Sequence, residues 1–261
     1  MNIASNKPVR KSKRVTTLFT FYLLLFTLIM LLFTFEKTGP YTYVPHVDML
    51  RAVNRTLRRA GIECAFSQGF NPHILLFFSP PLPVGTGSCC EQCAVQTDIS
   101  ADEFMERYNR AAPIGLKAAK AEVFAYNVNP ASAVRKAMYE IKVSGIRYQV
   151  SGKGRITFQL SNAAREIMAG DSFTVKSIKE GKETVKEARP FIHDINVSIA
   201  AENADDKGIS NLKDKNNVII VRAVLSAGQE NLRADRFIEA LLEKAGIECG
   251  EIEIVRAALY N

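Results

Sequence analysis

The side chains best suited to chemistry in this chain gather between residues 37 and 73. His46, Asp48 and His73 are of the types that ligate a metal or move a proton. The first two open a segment with helical spacing, and the third ends a short polar loop. If that loop and the start of the helix lie at one end of the same sheet, the three converge as a metal or acid–base set. Alternatively, His46 and Asp48 merely cap the helix, where an acid is favoured by the helix dipole. Arg51, Arg55, Arg58 and Arg59 form a basic stripe on the same segment, near Lys37, and Gln68-Gly69-Phe70-Asn71 follows. Arginines and a lysine bind the backbone of a nucleic acid, and an aromatic ring stacks on a base. Lys37, Arg51, Arg55, Arg58, Arg59, Gln68, Phe70 and Asn71 are therefore candidate phosphate or RNA contacts, although a solvated helix face looks the same in sequence. Gly69 reads as a turn residue, because neither the G-x-G-x-x-G nor the Walker pattern is present.

The cysteines point less clearly to a site. Cys89, Cys90 and Cys93 contain one C-x-x-C, but no second pair or nearby histidine completes four zinc ligands. They are weak metal candidates, and with Cys64 and Cys249 they read better as buried structural thiols. An odd number of cysteines, two of them adjacent, is a poor disulfide framework and suits a reducing compartment. There is no C-x-x-x-C-x-x-C motif, so no iron–sulfur cofactor of its own is expected, and no nucleophile elbow stands out.

The elements that must position these residues follow from periodicity. MLLFTFEK (30–37) reads as a buried strand, with a turn at Thr38-Gly39-Pro40. Residues 46–60 read as a helix with Val47, Leu50, Val53 or Asn54, and Leu57 on one face, stopped by Gly61. IECAFS (62–67) and ILLFFS (74–79) read as strands around the loop. The prolines of PPLPVGTGS (80–88) predict a loop, and 89–97 a strand. Ser100 and Glu103 form a capping box for a helix over 101–111, and 115–125 reads as a strand. In the second half MYEIKVSG (138–145), RITFQL (155–160), SFTVKSIKEGKE (172–183), NVIIVRAVLS (217–226) and GEIEIVRAALY (250–260) read as strands. Helices are expected near 161–169 and over 234–245, and 202–217 as a mobile polar loop.

This order suggests an α+β fold of two ferredoxin-like (split βαβ) halves, mostly antiparallel, with helices on one face. The expected division is an N-terminal extension (1–29), a first half (30–125), a connector (126–136) and a second half (137–261). Two internal echoes suggest duplication: ADEFMERYNRAAPIG (101–115) with ADRFIEALLEKAGIE (234–248), and AGIEC at 60–64 and 245–249.

The net charge of +7 invites a nucleic-acid reading, but five of the 34 basic residues precede residue 30, and no acid precedes Glu36. From residue 30 onward the balance is 29 basic against 27 acidic. Any nucleic-acid contact must therefore use a local patch. Val15–Phe35 carries no charge and could cross a bilayer as a helix, with the basic run holding the N-terminus in the cytoplasm. The competing expectation makes 30–37 a strand of the fold, 1–29 an upstream extension, and Met30 the initiator. A cytoplasmic location follows from the second reading, membrane anchoring by residues 15–35 from the first.

The stretch from Glu36 to Gly85, with Phe35 before it, resembles the opening of the radical-SAM-linked protein family. The matching elements are Phe35-Glu36-Lys37-Thr38-Gly39, His46 with Asp48, Arg59-Ala60-Gly61, Ser67-Gln68-Gly69-Phe70-Asn71-Pro72-His73 and Pro81-Leu82-Pro83-Val84-Gly85. The run at 67–73 is the most specific, and Asn231-Leu232-Arg233 and Ala258-Leu259-Tyr260 extend the similarity, so it covers about residues 30–261. Pro45 departs from the usual serine, Ile74 from a common proline, and Cys89–Cys93 from a more acidic stretch. The resemblance implies a bacterial protein encoded beside or fused to a radical-SAM protein: a partner, not an activity. The expected function is a non-catalytic accessory or substrate-presenting module for a radical-SAM enzyme acting on RNA. An enzyme using His46, Asp48 and His73 is the competing class, and a membrane-anchored domain a further alternative.

Overall fold

The structure, a computed structural model, describes residues 29–145, 153–179, 182–199 and 218–261. Strand β1 (Met30–Lys37) shows why its sequence folds as it does: Leu31, Phe33 and Phe35 are fully buried, while Leu32, Thr34 and Glu36 between them are half-buried. Chain order continues α1 (His46–Arg59), β2 (Leu76–Phe78), β3 (Thr86–Val95), α2 (Ala101–Ala111), β4 (Ala118–Phe124), α3 (Pro130–Ala133) and β5 (Lys136–Ser144). It ends with α4 (Lys153–Ala169), β6 (Thr174–Lys179), β7 (Lys182–Glu187), β8 (Ile192–Ile199), β9 (Ile219–Ser226), α5 (Ala234–Ala245) and β10 (Glu251–Tyr260).

Eight strands form one sheet in the order β4-β1-β3-β10-β5-β9-β8, with β2 also on β3, and β6–β7 is a separate hairpin. Every pairing is antiparallel except β3 with β10. β1 holds one edge of β3, so β2 and β10 share the other. β2 pairs with Cys93–Val95, and β10 with Thr86–Ser88. The protein is thus a mixed α+β fold with a mostly antiparallel sheet. Two apolar clusters pack against it. Met49, Val53 and Leu57 of α1 and Phe104 and Tyr108 of α2 cover β1 and β3. Leu160 and Ile167 of α4 and Phe237 and Leu241 of α5 cover β5 and β9. Each such side chain contributes about 1.5–3 kcal/mol by leaving water.

Several expectations need correction. RITFQL is not a strand but part of α4, where Ile156, Leu160, Ala163, Ala164 and Ile167 are buried at helical spacing. Residues 62–67 form only an isolated bridge, Phe66 to Ile74. The prolines stop at 83, and a turn closed by Thr86 N–H to Pro83 O at 3.3 Å starts β3 at Thr86, inside the expected loop. The turn after β1 is a 3₁₀ helix, Gly39–Tyr43. Half of the capping box forms: Ser100 accepts from Glu103 N–H at 3.2 Å, but the Glu103 carboxylate turns to Arg107 at 2.9 Å. Residues 172–183 contribute to the β6–β7 hairpin, and β8 had no counterpart in the sequence reading. Because residues 30–37 are a sheet strand, a membrane helix through Phe35 does not fit this fold. Among the described residues no helix is long and apolar enough to cross a membrane. The basic run and most of the uncharged stretch before Met30, and the polar loop at 202–217, lie outside the described residues.

Candidate nucleic-acid interface

Helix α1 has two stripes. Met49, Ala52, Val53, Thr56 and Leu57 are buried against the sheet. Val47, Leu50, Arg51, Asn54 and Arg55 instead line a groove of about 700 Å³ whose other wall is His73–Phe78, including β2. Of the apolar face read from the sequence, Val53 and Leu57 are core and Leu50 is half-buried against it, whereas Val47 is 56% exposed. Arg51 and Arg55 rim this groove beside His73. Arg51 is held by Asp48 at 2.9 Å, with both side chains exposed. Arg58, one turn further along, lies over the Phe66 ring at 5.9 Å.

The loop at 67–73 is a closed hairpin. Ser67 N–H donates to His73 O at 2.8 Å, His73 N–H donates to Ser67 Oγ at 3.1 Å, and the hydroxyl meets His73 Nδ1 at 2.9 Å. Gly69 adopts φ +134°, a conformation that L side chains rarely take, which lets the chain reverse in so few residues. The reversal presents Phe70 fully to solvent, with Gln68 and Asn71 exposed on either side. Ser67, His73 and Gly69 thus fix the shape of the loop that carries Phe70.

Two predicted phosphate contacts lie elsewhere. Arg59 donates to Thr56 Oγ1 and to Ala111 O, both at 3.2 Å, tying α1 to the end of α2. Lys37 is 2% exposed and donates to Thr42 O at 3.2 Å and Thr86 O at 3.1 Å. Burial lowers its pKa, opposed by Glu91.

The His46, Asp48 and His73 set is not brought together. Asp48 faces Arg51, His73 closes its own loop, and His46 sits edge-on to Phe78 with ring centroids 6.1 Å apart. Burial lowers the His46 pKa below its usual value; Glu91 opposes this, and Lys37 and Arg256 reinforce it. Among the described residues no three His, Cys, Asp or Glu side chains stand where they could hold a metal. Cys90 and Cys93, an odd number of residues apart in one strand, differ in surroundings: Cys93 is fully buried, and Cys90 lies against Arg256 O at 3.4 Å. Burial raises the pKa of Cys64 and Cys90 to about 11. All five cysteines are free.

Sequence reasoning missed a buried charge cluster beneath these elements. Arg256 of β10 donates through Nε (3.1 Å) and Nη2 to Glu91 of β3, and through Nη1 to Pro80 O at 2.9 Å. Ser79 Oγ donates to the other Glu91 oxygen at 3.3 Å, and the two charged side chains are 1% and 2% exposed. Register shifts in β1–β3, β1–β4 and β10–β5 surround the cluster, and such bulges re-aim side chains. The available signal was Glu91 as the one charge in β3 and Arg256 as the one basic residue in β10.

A search of curated proteins found no match. Among solved structures the chain is similar to one in the crystal structure of a Cbf5-Nop10-Gar1 complex, at 9% identity and a TM-score of 0.45. That alignment covers 91% of this chain and 50% of the other, so this chain spans about half the length of the protein it matches. Residues 30–234 match the family described as an uncharacterized protein conserved in bacteria (DUF2344), and this chain belongs to that family.

Proposed function

We propose that this chain is a non-catalytic accessory module that presents RNA to a radical-SAM enzyme in the bacterial cytoplasm. The observation that carries the RNA half is the exposed line of Arg51, Arg55 and Arg58 along α1, with Phe70 held out on the adjoining loop. Arginines supply the sequence-independent attraction to phosphate, and the ring supplies a stacking surface. The radical-SAM partner rests on the resemblance of Ser67–His73 and its flanking motifs, which fall on this same loop and helix.

The reading includes two ferredoxin-like halves, 30–125 and 137–261, joined by 126–136. It is supported by strand order: β4-β1-β3-β2 in the first half has the same pattern as β10-β5-β9-β8 in the second. The longer sequence echo also falls on equivalent helices, α2 and α5, each between the third and fourth strands of its half. AGIEC follows α1 in one case and α5 in the other, which are non-equivalent positions, so that echo gives no support. The competing enzyme reading gains nothing from the separated His46, Asp48 and His73.

Binding of a single-stranded RNA across a salt series tests the RNA half. Each phosphate contact contributes roughly 0.7 to the slope of log K against log salt. Arg51→Ala, Arg55→Ala and Arg58→Ala should each flatten the slope by about that amount. Absent or salt-independent binding refutes it. The partner half fails if affinity capture of the full chain from native extract recovers no radical-SAM protein.

A further inference from the structure

We propose that the α1–β2 groove receives an unpaired base of single-stranded RNA, with its phosphates on Arg51 and Arg55 and a neighbouring base stacked on Phe70. This inference rests on the RNA reading above and narrows it to a substrate class. The groove combines an apolar lining that includes Val47, Leu50, Leu75 and Phe77 with the cations Arg51 and Arg55. Its volume of about 700 Å³ is within the usual range for small-ligand sites, roughly 300–1,000 Å³. An apolar lining alone would suit many occupants. The charge complementarity selects an anionic one: Asp48 neutralises Arg51 in part, and among the described residues Arg55 forms no ion pair. An unpaired nucleotide has both required features, a flat apolar base and an adjoining phosphate.

Duplex RNA does not fit this geometry. Its bases are stacked inside the helix, and its accessible shallow groove offers hydroxyls and base edges rather than ring faces. Phe70, fully exposed on a loop closed by Ser67 and His73, finds no ring face along the length of a duplex, whereas each unstacked base of a single strand offers one. A recessed apolar lining beside arginines likewise admits a base only after it is unpaired. His73 lies both at the loop closure and in the groove wall, so the stacking ring and the groove are held by one residue.

The test measures fluorescence anisotropy of an end-labelled RNA bound to the full chain, as a single strand and annealed to its complement, at one salt concentration. The single strand should bind at least about tenfold more tightly. Phe70→Ala and the uncharged Val47→Asn should each weaken single-strand binding by about tenfold and leave duplex binding unchanged. Both positions are exposed, so the variants should keep the wild-type circular dichroism spectrum. Equal binding of both RNAs, weakened by Arg51→Ala and Arg55→Ala but not by Phe70→Ala or Val47→Asn, overturns the groove proposal and leaves the RNA reading intact. No binding of either RNA overturns both.

Discussion

Glu91→Gln is the perturbation whose size is best fixed by the structure. Glu91 is the anion of a buried cluster that also holds Arg256 and Lys37, and its side chain is 2% exposed. Amide replacement keeps the shape but removes the charge, leaving two buried cations and no carboxylate. Breaking a buried pair from one side costs about 3–5 kcal/mol, because the remaining charge is neither solvated nor paired. That is a large part of the roughly 5–15 kcal/mol by which a domain is usually stable. In a chain of this size 1 kcal/mol moves Tm by about 2–4 °C, so the expected drop is roughly 6–20 °C. Thermal and urea unfolding followed by circular dichroism reads it directly. The exposed pair Arg222–Glu140, with side chains 47% and 30% exposed, is the comparison: Glu140→Gln should cost at most about 1 kcal/mol. Replacing both buried partners, Glu91→Leu with Arg256→Met, should recover most of the loss, since no charge is then stranded. If Glu91→Gln is no worse than Glu140→Gln, the cluster is not paired as described.

Two other perturbations follow from the same region. The lowered folded-state pKa of His46 means that above about pH 6.5 the group is neutral in both states and has no effect on stability. As pH falls below that value the unfolded chain takes up the proton first, so stability drops until the folded histidine also titrates. Urea midpoints from pH 7.5 down to about 5 should therefore fall less steeply in His46→Gln, with His193→Gln as the control for the other depressed histidine; an unaltered slope removes His46 as the cause. Gly115 has φ +89°, and a Cβ there would collide with the Thr38 carbonyl, while Thr38 N–H donates to Gly115 O at 3.0 Å. Gly115→Val should cost about 1–3 kcal/mol or more in urea unfolding, and a neutral result would mean that the turn after β1 is not anchored there.

Much of the fold was legible because single strands and helices carry their own periodicity. MLLFTFEK alternates, and α5 begins and ends where the apolar spacing does. What failed did so for identifiable physical reasons. Within RITFQL the branched and aromatic residues mimic an alternating strand, and only the spacing from Ile156 out to Ile167 reveals the helix. β8 is an outer strand of the sheet, with exposed His193, Asp194 and Asn196, so its apolar pattern is weak over any short window. The Glu91–Arg256 pair spans 165 residues, and nothing local in either strand identifies its partner.

The candidate site was legible by residue type but not by orientation. Val47 and Leu50 were assigned to the core because a surface helix usually has one apolar stripe. In α1 the buried stripe runs from Met49 to Leu57 and includes the expected Val53 and Leu57, with Leu50 at its edge and Val47 outside it. Val47, 56% exposed beside two arginines, contributes little to that packing, whereas Leu50 is partly buried against the core cluster. Lone exposed aliphatics need no explanation, but Val47 shares one recess with Leu50, Leu75, Phe77, Arg51 and Arg55. Local sequence rules are expected to break where selection acts on something other than stability. Val47 is the apolar residue of the predicted face that departs furthest from the single-stripe rule, and a base in the proposed groove accounts for it.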